Sequence, residues 1–171
     1  PDPAKGTPTF SPSWSEDETL VISSDDLLQG LYDPDSGDWL TVVPESVRCE
    51  NATVAFNGEG WGWQITPNPN VNGIVNLSYK VVDTEGLTSD YSLQVTINPV
   101  NDAPVSDYKS FRALQGDGIT SLGLGNVNYK PGGAWDEDTQ DLYVEIKSLP
   151  DSIGKIILNG EELCADQRIS I

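Results

Sequence analysis

Side chains along this sequence alternate apolar and polar with a period of two, in short runs that end at turn residues. The clearest run is Leu93, Val95 and Ile97, interleaved with Ser92, Gln94 and Thr96. A β-strand sends successive side chains to opposite faces, so such a run buries one face and wets the other. Leu20 with Ile22, then Trp61, Trp63 and Ile65, then Leu77, Tyr79 and Val81 repeat the pattern. Residues 39–43 and 52–56 add two further apolar runs, and the second leads into Asn57-Gly58, a strong hairpin signal. Residues 24–29 are expected to form one short helical turn, with Ser24 as its cap and Gly30 as its stop. Trp63 and Ile65 are assigned to the core rather than to a sugar-stacking surface. The reading is an all-β fold of antiparallel sandwiches.

The first set of strands closes at Asn98-Pro99-Val100-Asn101-Asp102-Ala103-Pro104. The prolines remove backbone donors, end the ladder and stiffen the connection. Two tandem immunoglobulin- or cadherin-like β-sandwich modules are therefore expected. Residues 1–13 are read as a linker from a preceding module, 14–100 as the first sandwich, 101–105 as a linker and 106–171 as the second. The second set is Gly-rich at first, with Leu122, Leu124 and Val127 weakly patterned. Leu142, Val144 and Ile146 then alternate clearly, and residues 155–158 run into Asn159-Gly160, another hairpin signal. The sequence stops soon afterwards, so the second module is expected to be incomplete. An incomplete sandwich leaves edges unpaired. Its missing strands are expected beyond this region, beyond an inserted ligand-binding domain, or on another chain.

The 27 acidic and 9 basic residues give a formal net charge of -18. That excess repels itself, and cations are the natural way to neutralise it. Nucleic acid is excluded as a partner, because nothing here could neutralise phosphates. No apolar run is long enough for a membrane helix, so membrane insertion is not expected. The chain is expected to be monomeric. It contains no histidine, which removes the commonest general base and the commonest transition-metal ligand. Paired acids such as Glu16 and Asp17 would suit glycoside hydrolysis only inside a cleft that small sandwiches rarely provide. The chain is not expected to be an enzyme. Cys49 and Cys164 make no disulfide framework and are read as separate buried thiols.

The sharpest local motif is Asp33-Pro34-Asp35-Ser36-Gly37-Asp38. Three carboxylates in the spacing D-x-D-x-x-D, around a Gly-bearing turn, can face one ion. Calcium takes six to eight oxygens and accepts carboxylates, carbonyls and water. The loop is not an EF-hand, having no Glu at its twelfth position and strands on either side. Asp and Gly also favour plain solvated turns. Further acids collect at expected strand ends: Glu16, Asp83 and Glu85, Asn101 and Asp102, and Asp136 with Asp138.

Residues 14 to about 105 resemble the cadherin-like repeat of giant bacterial RTX-type adhesins. The likeness is carried by Glu16-Asp17-Glu18-Thr19-Leu20, by the Asp33–Asp38 motif, by Leu77-Ser78-Tyr79-Lys80-Val81-Val82-Asp83, and by Val95-Thr96-Ile97-Asn98-Pro99-Val100-Asn101-Asp102-Ala103-Pro104-Val105. Residues 102–171 resemble a related adhesin module through Gly123-Leu124-Gly125-Asn126-Val127, Pro131-Gly132-Gly133 and Ser148-Leu149-Pro150. The resemblance implies Ca²⁺ shared at module junctions. Carried over, its ligands are Glu16, Asp83, Glu85, Asn101, Asp102, Asp136 and Asp138, with Asp33 and Asp35 facing a preceding module. It also implies an extracellular location on the bacterial cell surface, type I secretion, and a role in adhesion and biofilm. The partners implied are neighbouring modules of the same long polypeptide and an inserted ligand-binding domain.

Overall fold

The alternating runs do become strands. The computed structural model describes residues 1–58, 62–107, 127–133, 135–148, 155–158 and 160–170. Trp61, Leu122, Leu124 and Asn159 lie outside the described residues. The chain divides into two compact units, Pro1–Val100 and Asn101–Ile171.

The first unit is a two-sheet sandwich. One sheet runs β2 (Ser13–Ser15), β10 (Thr88–Asn98), β9 (Gly73–Val82) and β5 (Thr41–Val42), with β6 (Arg48–Cys49) also on β9. The other runs β3 (Leu20–Ser23), β8 (Gly62–Pro67) and β7 (Ala52–Asn57). All pairs are antiparallel except β2 on β10. The period-two rule fixes register: Leu77 faces Leu93 and Val75 faces Val95, all pointing inward. Ile22, Trp63, Ile65, Leu77, Tyr79, Val81, Val95 and Ile97 fill the space between the sheets. Trp63 is 1% exposed, as its assignment to the core requires, and its Nε1 donates to the Pro44 carbonyl at 3.1 Å. Tyr79 is buried too, and its hydroxyl donates to the Leu27 carbonyl at 2.6 Å. Burial, with Tyr91 nearby, pushes that phenol up to about 12.

Three local expectations need correction. Residues 1–13 are part of the first unit and not a separate linker. Ala4 is buried in the core, β1 (Lys5–Gly6) pairs with β4 (Leu31–Tyr32), and the Tyr91 hydroxyl donates to the Ala4 carbonyl at 2.8 Å. The short helix α1 (Ser24–Leu28) is capped by Ser23, not Ser24. A cap needs extended backbone, which Ser23 has, and Asp26 completes a capping box by accepting from Ser23 N at 2.8 Å. Gly30 follows with φ +83, close against the Thr7 carbonyl, where a side chain would be both strained and blocked. The expected strand over 39–43 shortens to Thr41–Val42, and Trp39 stands out into solvent at 70% exposure.

The second unit is also built of strands. Its described ladders are β11 (Val105–Ser106) with β12 (Tyr129–Lys130), β13 (Tyr143–Glu145) with β16 (Arg168–Ser170), and β14 (Ile157–Leu158) with β15 (Glu161–Glu162). The last pair, Ile157 with Glu162 and Leu158 with Glu161, is antiparallel, and Gly160 between its strands has φ +89. Among its described residues, Leu163 is buried and so is the carboxylate of Glu137. Cys49 is a buried free thiol, while Cys164 is free and exposed, against the expectation that both would be buried.

Candidate metal centre

In the first unit the Asp33–Asp38 loop follows β4, and the turn 83–87 joins β9 to β10. Because Thr41 pairs with Val82, antiparallel pairing sets these two acidic loops side by side. Asp33, Asp35 and Asp38 each offer an oxygen within 4.8 Å of the others. Two ligands on one calcium, each at about 2.3–2.6 Å, lie at most about 5 Å apart. The loop therefore has the right dimensions for a shared ion.

Hydrogen bonds hold the loop in this shape. Asp33 Oδ1 accepts from Asp35 N at 2.9 Å, and Asp35 Oδ2 accepts from Asp2 N at 2.5 Å. Asp83 Oδ1 accepts from Leu87 N at 2.8 Å, which closes the neighbouring turn. The remaining oxygens are the informative ones. Asp33 Oδ2, Asp38 Oδ2 and Asp83 Oδ2 are shielded from solvent and have no hydrogen-bond partner. Leaving a buried anionic oxygen without a donor is costly, and a cation would remove that cost. The electrostatics agree in direction. Hydrogen bonds from Thr84 and then Glu85 hold the Asp38 carboxyl below its ordinary range. Glu85 is pushed up, chiefly by its hydrogen bond to Asp38 and also by the nearby Asp38 and Asp83 charges. A carboxyl whose ionisation its acidic neighbours oppose, as at Glu85, is what a cation relieves.

Glu16 lies elsewhere. It is 6% exposed, just after β2. Its Oε1 accepts from Val100 N at 2.8 Å, and Asn72 Nδ2 reaches Oε1 at 3.5 Å and Oε2 at 3.3 Å. Asn72 precedes β9 and Asp83 follows it. Ten residues of strand separate them, roughly 30 Å. This corrects the grouping the adhesin resemblance implies. Asp83 and Glu85 sit with Asp38 at one end of the unit, and Glu16 sits at the other.

The remaining expected residues belong to the second unit. Asn101 and Asp138 are exposed, while Asp102 and Asp136 are half-buried. Asn101 Oδ1 accepts from Gln140 Nε2 at 2.8 Å. Sequence reasoning missed Glu137, between the two aspartates chosen. It is fully buried, its Oε1 accepts from Asp102 N, and its Oε2 has no partner. A sequence signal was available, since Asp136, Asp138 and Asp141 repeat the D-x-D-x-x-D spacing of Asp33, Asp35 and Asp38.

Comparison with known proteins adds three findings. The family model described as a cadherin-like domain matches residues 1–98. Integrin beta-like protein E of Dictyostelium discoideum is 36% identical over 131 residues, covering 74% of this chain but 6% of that much longer protein. An endo-fucoidan hydrolase of glycoside hydrolase family 107 superposes at a TM-score of 0.38 and 19% identity, covering 60% of this chain and 16% of the hydrolase. At that score the hydrolase's activity stays with the hydrolase. No described helix is long and apolar enough to cross a membrane.

Proposed function

The chain belongs to the cadherin-like domain family, and from that premise we propose that it is a calcium-stiffened extender segment of an extracellular surface adhesin. The observation that carries this reading is the set of solvent-shielded, unpartnered oxygens on Asp33, Asp38 and Asp83. Asp33, Asp35 and Asp38 would hold the ion, with Asp83 and Glu85 closing in from the adjacent turn. Carboxylates at this density select a hard divalent cation, and extracellular calcium sites bind at about 10⁻⁴–10⁻³ M. The bound ion would tie the loop after β4 to the turn after β9, stiffening that end of the sandwich. Tandem repetition would make an arm that presents a ligand-binding domain for adhesion and biofilm formation on a bacterial surface. The modules themselves would catalyse nothing, and their partners would be neighbouring modules of the same polypeptide. The net charge of -18 supports cation dependence and argues against nucleic acid.

A thermal melt with and without chelator, paired with small-angle scattering, tests the reading. Calcium at ten- to a hundredfold excess over its dissociation constant should stabilise by about 1.4–2.7 kcal/mol. Shape should become more uniform on calcium addition. If neither stability nor scattering responds, the reading fails.

A second reading has one observation of its own. Tyr32 is 58% exposed immediately before the acidic loop and Trp39 is 70% exposed immediately after it. Aromatic faces beside a calcium site suit a glycan, whose hydroxyls complete the coordination shell while its ring stacks. Calcium-dependent glycan binding that Trp39→Ala abolishes would favour this reading over a purely mechanical role.

A further inference from the structure

We propose that the free edge of β7 is where a second copy of this chain docks, strand against strand across a two-fold axis. Such a contact needs neither the acidic loops nor their ions.

β7 closes one side of the sheet β3-β8-β7, and among the described residues no strand pairs with its other edge. Its pairing with β8 shows which groups that edge presents. Asn68 N donates to the Asn51 carbonyl at 2.8 Å, which makes 51 and 68 a hydrogen-bonded pair. Such pairs recur at every second residue of an antiparallel ladder. Thr53 and Ala55 therefore bond toward β8, opposite Thr66 and Gln64. The backbone N–H and C=O groups of Ala52, Val54 and Phe56 point the other way, off the free edge.

Natural sheets blunt an open edge with lysine, proline or a bulge. β7 reads Ala-Thr-Val-Ala-Phe-Asn, with no charge and no proline, and its register on β8 is unbroken. The outer face beside it is uncharged too, since Thr19, Val21, Thr53, Ala55, Gln64 and Thr66 are all exposed there. Glu50, the acid just before the strand, is held by Asn76, whose N and Nδ2 donate to its Oε2 at 3.2 and 3.1 Å. The net charge of -18 opposes association and favours the monomer expected from sequence. That opposition is weakest along this neutral strip.

The strand also complements itself. An antiparallel copy centred on Val54 sets Val54 against Val54, Ala52 against Phe56 and Thr53 against Ala55. In that register the residues whose backbone groups leave the edge face one another, so each donor meets an acceptor. The small Ala52 makes room for the ring of Phe56, which is 44% exposed in the single chain. Side-chain parity keeps inner face with inner face, so the sheet continues into the copy. A two-fold contact uses up the edge, and assembly stops at the dimer.

One strand edge is a small interface, so the dissociation constant is expected at about 1 mM. Sedimentation velocity of the full chain in calcium should show a dimer growing with concentration. Raising salt from about 0.01 M to about 0.15 M shortens the screening length from about 30 Å to about 8 Å and should strengthen it. Thr53→Lys with Ala55→Lys sets lysine against lysine twice. It should weaken the dimer about tenfold although the chain's net negative charge falls. Disulfide trapping reads the register in a Cys164→Ser background, Cys49 being buried. Mixed Thr53→Cys and Ala55→Cys chains should cross-link to each other in preference to themselves, because the unlike pair lies directly opposite, within disulfide reach. A chain still monomeric at about 1 mM, species larger than a dimer, a dimer indifferent to the lysines, or like-with-like cross-links would each overturn the proposal.

Discussion

The two ends of the first unit both present buried acid, and they satisfy it in opposite ways. At one end Glu16 is enclosed by donors, with Val100 N–H on Oε1 and Asn72 Nδ2 beside both oxygens. At the other end Asp33, Asp38 and Asp83 each keep a shielded oxygen that no donor reaches. A carboxylate surrounded by N–H groups is a structural clamp, here fastening the chain that leaves β10. Carboxylates surrounded by one another are a candidate cation site, because a cation relieves their mutual repulsion. The number of acids does not separate the two cases, whereas the identity of the neighbouring groups does.

Four measurements would break or sharpen that contrast. The largest effect is expected from Glu16→Ala, which empties a buried side-chain position and leaves the half-buried Val100 N–H without its acceptor. Urea unfolding should show a loss of about 2–3 kcal/mol, equal with and without calcium. A calcium-dependent loss would show that Glu16 is a metal ligand after all. Asp38→Ala should behave conversely, removing most of the calcium-conferred stability of about 1.4–2.7 kcal/mol while costing little in chelator. Equal losses in both conditions would reduce the acidic loop to a structural turn. Ser23→Ala removes the helix cap between the two ends, and a melt should register about 1 kcal/mol with calcium binding unchanged. The smallest energetic effect but a sharp kinetic one concerns the thiols. Burial, then the Glu50 charge, pushes Cys49 up to about 11, and Cys164 is exposed. A thiol reagent at neutral pH should label Cys164 at once and Cys49 only on unfolding. Equal rates would contradict the burial of Cys49.

Much of the fold is legible in the amino-acid pattern. The runs around Leu20, Trp63, Leu77 and Leu93 form β3, β8, β9 and β10, because a half-buried strand writes its period directly into the sequence. Boundaries are less legible. Ser23 rather than Ser24 caps the helix because capping depends on backbone angles that two adjacent serines do not distinguish by type. The first residues read as a linker because Pro1, Asp2 and Pro3 carry no alternation, yet Ala4 is held in the core by β1 and by Tyr91. Among the candidate ligands, the D-x-D-x-x-D spacing alone locates Asp33, Asp35 and Asp38, since local spacing sets local geometry. Glu137 escapes notice because a glutamate flanked by aspartates looks like one more surface acid.

What the sequence determined unaided is a β architecture, the acidic loop after β4 and a charge excess that asks for cations. These follow from side-chain period and composition, which are local or summed properties. The tertiary structure decided which acids meet. It carried Asp83 and Glu85 to Asp38 and away from Glu16, and it buried Glu137 against Gly132. The reason is strand pairing: residues far apart in the chain become neighbours through register, and register is fixed by packing across the whole sandwich.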